Sequence, residues 1–140
     1  YNKEYTTTAD YETAIKAIKD ATAAATALQS DYAAYKAMKT NVQTLEATEG
    51  YTDKNGAKTT LDAAITTQDK AVKAATTSEP ITTATTALRS AALTFVGNVT
   101  PSTSNPFNIT FLITNPGFDT DASGWTYTGT PGLSYSDCEY

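Results

Sequence analysis

Apolar side chains recur every three or four positions from about Thr7 to Val96, and beyond Val96 that period is lost. Four stripes make up the periodic part. Tyr11, Ala14/Ile15, Ile18, Ala21/Thr22, Ala25 and Leu28 form the first, and Tyr32, Tyr35, Met38, Val42 and Leu45 the second. Leu61, Ile65, Gln68, Val72 and Ala75 form the third, and Ile81, Ala84, Leu88, Ala91/Ala92 and Phe95 the fourth. Such spacing puts one apolar face on each of a series of helices. Thr7 with Asp10 three residues on suits a capping box, and Ser30 and Ser78 can accept from first-turn amides. Pro80 fits a first turn, where its missing N–H costs nothing.

The joint at Gln29-Ser30-Asp31 holds neither Gly nor Pro. Asp10-Tyr11…Lys16-Ala17-Ile18-Lys19 is echoed by Asp31-Tyr32…Lys36-Ala37-Met38-Lys39, so two segments open alike. The first two stripes nevertheless run almost in phase across the joint, and residues 8–47 can be read as one helix or as two. A single helix would overhang its shorter partners and leave Ile15, Ile18 and Leu28 in water unless a preceding domain covered them. Four shorter helices bury more, and that is the expected arrangement.

After Val96-Gly97 come Pro101, Pro106, Pro116, Pro131 and four of the seven glycines, with β-branched and aromatic clusters between them. That reads as strands and turns. The fold class expected is mainly α: an antiparallel three- or four-helix bundle over 1–97, a linker over 98–106 and a β-strand segment over 107–140. Residues 107–114, Phe-Asn-Ile-Thr-Phe-Leu-Ile-Thr, have high β-propensity and no charge. A lone strand of that kind invites another chain, so self-association through it is expected.

Composition narrows the function classes. The chain of 140 residues carries a net charge of −5, which argues against nucleic acid, whose binders present a basic face. It has no histidine, which excludes a histidine base and a histidine zinc site, and its one cysteine, Cys138, makes no intrachain disulfide. No apolar run approaches the roughly 18 residues of a membrane span, and the first residues hold no signal-peptide core; an exported form would have shed its leader. About a fifth of the residues are Thr and about a sixth Ala. Alanine faces let helices approach closely, and outward hydroxyls in place of Lys and Glu make a weakly charged exterior suited to an exposed spacer.

Two stretches resemble known modules. Tyr51-Thr52, Leu61-Asp62-Ala63-Ala64-Ile65, Ala71-Val72-Lys73-Ala74-Ala75-Thr76-Thr77, Glu79 and Ala84-Thr85-Thr86-Ala87-Leu88-Arg89-Ser90-Ala91-Ala92-Leu93 resemble FIVAR modules. These are Ala-rich helical repeats of bacterial surface and secreted carbohydrate-active proteins, and the resemblance covers about residues 31–96. The chain departs from the pattern at Asp53-Lys54-Asn55-Gly56, a longer loop, and the first helix falls outside a three-helix module. Ile113-Thr114-Asn115-Pro116-Gly117-Phe118-Asp119…Gly124-Trp125-Thr126 is similar to the opening of galactose-binding-type jelly-roll carbohydrate-binding modules. The resemblance implies Phe118 and Trp125 as aromatic plugs of a sandwich of which only the start is present.

Candidate chemistry is sparse. Asp119-Thr120-Asp121-Ala122-Ser123-Gly124 matches the first half of a calcium loop, which makes Asp119 and Asp121 candidate ligands of calcium, the one cofactor suggested. Thr130, at the twelfth position, has no carboxylate to close such a site, and a polar turn is the ordinary reading of these residues. In the resembled sandwiches an acid at the place of Asp119 helps hold a structural calcium. Asp53, Asn55 and Gly56 form a second oxygen-rich loop, read as a connection ending in a helix cap. Glu46 with Glu49, and Asp137 with Glu139, are the nearest acid pairs to a glycosidase arrangement, and solvated charge accounts for both. Tyr11, Tyr32 and Tyr35 are expected to be half-buried core, whereas Tyr127, Tyr135 and Tyr140 remain candidate sugar contacts. Asn98-Val99-Thr100 and Asn108-Ile109-Thr110 are formal glycosylation sequons, silent in a bacterial protein. The reading is a non-catalytic spacer or interaction module, extracellular or at a cell surface, with polysaccharide met through the wider protein. The alternative is a carbohydrate-binding protein whose jelly-roll part recognises glycans.

Overall fold

The computed structural model describes residues 7–113, and they are mainly helical. Three helices, α1 (Thr8–Glu46), α2 (Ala57–Ala74) and α3 (Ser78–Gly97), carry most of the chain. Two short strands, β1 (Thr52–Asp53) and β2 (Val99–Thr100), pair antiparallel with Thr52 opposite Thr100 and Asp53 opposite Val99. The chain divides into two compact units at Asn108/Ile109, and all three helices and both strands lie in the first.

α1 begins where the capping box was expected. The Asp10 amide donates to Thr7 Oγ1 at 3.2 Å and the Thr7 amide donates to Asp10 Oδ2 at 3.0 Å, satisfying two amides reciprocally. The helix then runs 39 residues, about 58 Å, without a break at Gln29-Ser30-Asp31. The expected division into four helices is therefore corrected to three, and Ser30 caps nothing. Folding residues 8–29 back would bury few large side chains, because that stripe is mostly alanine. It would also open four amides and four carbonyls on each side of a loop that lacks Gly and Pro. The backbone keeps its bonds, and Ile15 and Ile18 stay 52% and 66% exposed.

α2 runs back along the second half of α1, and α3 returns so that its end lies by the exit of α1. Lys58 near the start of α2 pairs with Glu46 at the end of α1, and Asp69 farther along α2 meets Tyr35 and Lys39 farther back on α1. α1 and α2 are therefore antiparallel. Asp53 caps α2 from the preceding strand, accepting from the Ala57 amide at 2.8 Å and the Lys58 amide at 3.3 Å. That bears out a connection ending in a helix cap. At α3 the N-cap is Thr77, and Ser78 is already the first helical residue with Pro80 in the first turn.

The core lies where these helices meet. Tyr35, Val42 and Leu45 come from α1, Leu61, Ile65 and Val72 from α2, and Ile81, Ala84, Leu88, Ala92 and Phe95 from α3. All sit on the predicted stripes. Tyr51, Phe95 and Phe107 close one end, with ring centroids 5.4, 5.7 and 6.0 Å apart in edge-on and tilted packing. Gly50 makes the turn out of α1 with φ +80; a Cβ there would also lie 3.3 Å from that of Ser102.

Two further expectations are revised. Residues 98–106, read as a linker, supply β2, whose Val99 is buried. Residues 107–113, read as a strand, contain none. Thr110–Leu112 form a 3-10 turn instead, closed by the Leu112 amide on the Ile109 carbonyl at 2.8 Å and the Ile113 amide on that of Thr110 at 3.1 Å. Among the described residues no strand pairs with this segment, and its backbone bonds locally. The rest of the expected β segment lies outside the described residues. None of the described helices is long and apolar enough to cross a membrane.

This packing predicts an uneven response to truncation. Leu61→Ala and Leu88→Ala, at 1% and 0% exposure, should each cost roughly 2–5 kcal/mol in urea unfolding. Thr66→Ala and Thr83→Ala, on exposed positions, should stay within about 0.5 kcal/mol of the parent. Equal losses at all four positions would mean that the faces are misassigned.

Candidate functional site

A cluster of three polar side chains joins α1 to α2. Tyr35 and Lys39 stand one helical turn apart on α1, so both side chains leave the same face. Tyr35 Oη donates to Asp69 Oδ1 at 2.6 Å and Lys39 Nζ donates to Asp69 Oδ2 at 2.5 Å. Both carboxylate oxygens are thus occupied. Beside this knot lies a hollow of about 270 Å³ lined by Tyr32, Lys36, Lys39, Gln43 and Asp69. Tyr32, expected to be half-buried, is 53% exposed, as Tyr11 is at 57%; of the three, Tyr35 alone is core.

Electrostatics follow from that geometry. Burial first, then the hydrogen bond to Asp69 and its negative charge, push the Tyr35 phenol well above its ordinary value. The Lys39 hydrogen bond, then that of Tyr35, hold the Asp69 carboxyl below the usual carboxylate range against the opposing effect of burial. Tyr35 therefore keeps its proton and Asp69 stays ionised. A protonated phenol locked to a carboxylate that is itself locked to an ammonium offers neither base nor nucleophile; it clamps one helix to another. Burial, followed by the charges of Asp53 and Asp62, likewise raises Tyr51.

A second hollow, about 290 Å³, lies between the Lys54-Asn55 loop and the facing ends of α2 and α3. Leu61 and Phe95 floor it, and Thr94 and Asn98 stand at its edge. Asn98 is turned to its own helix, its Nδ2 donating to the Thr94 carbonyl at 2.8 Å.

The residues singled out from sequence are scattered. Glu46 is tied to Lys58, and Glu49 is exposed on the loop after α1. No group of three or more metal-ligating side chains comes together among the described residues. Asp119, Asp121, Phe118, Trp125, Tyr127, Tyr135, Tyr140, Asp137 and Glu139 lie outside them. Asp69 was missed. The Tyr35/Lys39 spacing signals that two polar ends share a face, but which acid of a distant helix meets them depends on the register between helices.

The knot predicts stability limbs at both ends of the pH scale. A lowered Asp69 contributes fully above the ordinary carboxylate value, about 3.9, and the contribution is lost as pH falls through its lower folded-state value. A raised Tyr35 contributes fully below the ordinary phenol value, about 10, and loses its contribution as pH climbs above it. Asp69→Asn should lower the melting temperature at pH 7 and flatten its fall below the ordinary carboxylate value. Tyr35→Phe should cost roughly 1–2 kcal/mol at pH 7 and flatten the alkaline limb, leaving the part due to Tyr51. Melting curves of the variants that run parallel to the parent across pH would rule out the knot as their cause.

No family model, curated protein or solved structure matches the chain.

Proposed function

We propose that the chain is a non-catalytic spacer or interaction module of a bacterial surface or secreted protein, working outside the cell. Its helical part is an antiparallel three-helix bundle of FIVAR-like type. The observation that carries the reading is the length of α1. At about 58 Å it is roughly twice as long as α2 or α3, of 18 and 20 residues, so one rigid element extends well past the core it belongs to. A helix that spans a module and continues beyond it sets a distance between whatever adjoins its two ends.

Two further features support this. The buried residues from Tyr35 to Phe95 fall within the stretch, about 31–96, that resembles FIVAR modules. The exterior is chemically quiet: hydroxyls of Thr13, Thr22, Thr26, Thr40, Thr44 and Thr67 each donate to the carbonyl four residues back. A hydroxyl that has given its proton to its own helix has little left to offer a ligand. Polysaccharide, on this reading, is met by other parts of a longer protein.

Affinity electrophoresis tests the proposal. The chain should migrate in gels containing soluble glucan, xylan or mannan at the same rate as in plain gels. Retardation by any of them would replace the spacer reading with that of a carbohydrate-binding protein.

A further inference from the structure

The turn that leads into α2 holds the one Asn-Gly pair of the sequence, Asn55-Gly56. The Ala57 amide donates to the Lys54 carbonyl at 3.3 Å, closing a four-residue turn around that pair. Both central residues have positive φ, +60 at Asn55 and +69 at Gly56, with ψ +35 at Gly56. That is near type I′ geometry, which Asn followed by Gly adopts most readily. Both residues are exposed, and a Cβ on Gly56 would meet nothing within 4 Å. The turn is held at its rim: the Gly56 carbonyl accepts from the Thr60 amide, and the Asp53 carboxylate accepts from the Ala57 and Lys58 amides. Among the described residues nothing bonds the Asn55 side chain, the Asn55 carbonyl or the Gly56 amide. The peptide plane between Asn55 and Gly56 can therefore flip while the Lys54–Ala57 bond stays. The flip takes type I′ to type II′, with φ at Asn55 kept and its ψ brought to about −120°. At that ψ the Gly56 nitrogen eclipses the Asn55 Cβ about the Cα–C bond, and a turn of χ1 sets it against Cγ. Glycine follows the flip freely, since it accepts either sign of φ.

We propose that Asn55-Gly56 is a self-modification site, at which the folded chain deamidates and loosens the entrance to α2. The Gly56 nitrogen gives its proton to solvent base and attacks Asn55 Cγ. The N–Cγ bond forms, the Cγ–Nδ2 bond breaks, and the amide nitrogen takes a proton from water and leaves as ammonia. Water then opens the five-membered succinimide at one of its two carbonyls. Attack at Cγ restores the original main chain with aspartate in place of Asn55. Attack at the main-chain carbonyl breaks the old peptide bond and routes the chain through Cβ, which is isoaspartate. One water is consumed and one ammonia released, and nothing is oxidised or reduced. Either product adds a negative charge beside Asp53. Isoaspartate also lengthens the main chain inside the turn, so the Lys54 carbonyl no longer meets the Ala57 amide and the Asp53 cap loses its alignment. Other asparagines lack this geometry. Asn41 lies inside α1, where the next amide belongs to the helix ladder. Asn98 donates its Nδ2 to the Thr94 carbonyl and is followed by buried Val99, and Asn105 is followed by Pro106, which has no N–H to lose. The site is independent of the spacer reading.

Peptide mapping by mass spectrometry of the whole chain, kept folded for days in mildly alkaline buffer, tests the proposal. The peptide holding Asn55 should gain about 1 Da, with isoaspartate exceeding aspartate, while Asn41 and Asn98 stay intact. The rate should drop in mildly acidic buffer, where the Gly56 nitrogen keeps its proton. It should lie within about tenfold of the rate in the chain unfolded by guanidinium, because an unbonded loop plane turns at little cost. Asn55→Gln, which would have to close a six-membered ring, should slow the gain at least about tenfold. Hydrogen exchange at the Ala57 and Lys58 amides should quicken in the isoaspartate fraction, separated by its added charge, and stay unchanged in Asn55→Gln kept alike. No gain at Asn55 in the folded chain, or one that lags the unfolded chain by more than about tenfold, overturns the proposal. An equal gain at Asn41 or Asn98 does the same. Unchanged exchange at Ala57 and Lys58 in the isoaspartate fraction overturns the loosening of α2.

Discussion

The unbroken hydrogen-bond ladder of α1 across Gln29-Ser30-Asp31 is the constraint from which the rest of the architecture follows. Once that segment is helical, residues 8–28 have no route back onto the core, and only three helices are left to bury one another. The core must then be assembled from Tyr35 to Val99, with α2 and α3 of matching length folded along the second half of α1. The exposed row of Ile15 and Ile18 is a direct consequence. Burying each would gain roughly 1.5–3 kcal/mol. Against that stand the unsatisfied groups of two new helix ends, together with the entropy of ordering a loop built from Gln, Ser and Asp. Two isoleucines among alanines do not tip the balance.

A core this thin depends on devices other than bulk. Leu61, Leu88, Val42 and Phe95 are the large side chains most fully enclosed, and alanines fill much of what lies between helices. Alignment is fixed by local ties. The two-residue ribbon of β1 and β2 joins the exit of α1 to the exit of α3, and the Lys54 amide extends it by donating to the Asn98 carbonyl at 3.2 Å. The Tyr51, Phe95 and Phe107 rings plug the same end, while the Tyr35–Asp69–Lys39 knot holds α1 against α2 farther along. Lys39 and Asp69 keep 28% and 40% of their side-chain surface, so the ion pair itself is partly screened. The buried Tyr35 hydroxyl, which needs a partner once its ring is in the core, makes the register specific.

Stripes were the legible part of the sequence. Leu61, Ile65 and Val72, then Ile81, Ala84, Leu88 and Phe95, are buried as their spacing demands, because a helix with one apolar face has one way to hide it. The Thr7–Asp10 box was legible for a similar reason: both partners lie within one turn. The continuity of α1 was not, since in-phase stripes describe a single long helix and two stacked ones equally well. What separates them is the balance between loop formation and burial, which depends on how much apolar area the partners can offer. Phe107–Ile113 misled in another way. Its β-propensity measures how well such side chains fit a pleated surface, and among the described residues no strand pairs with it. Asp69 was hidden because cross-helix pairing depends on an axial register that no local pattern encodes.

The division of α1 into a covered and an uncovered half also concentrates what the helical surface can do. Thr13, Thr22, Thr26, Thr40, Thr44, Thr67 and Thr94 turn their hydroxyl protons inward to the carbonyl four residues back. Lys16 and Asp20 neutralise each other within one turn. Such a face has little capacity for directional bonding and little net field. Against it, the uncharged strip holding Ile15 and Ile18 is the part of the overhang from which water has most to gain by leaving.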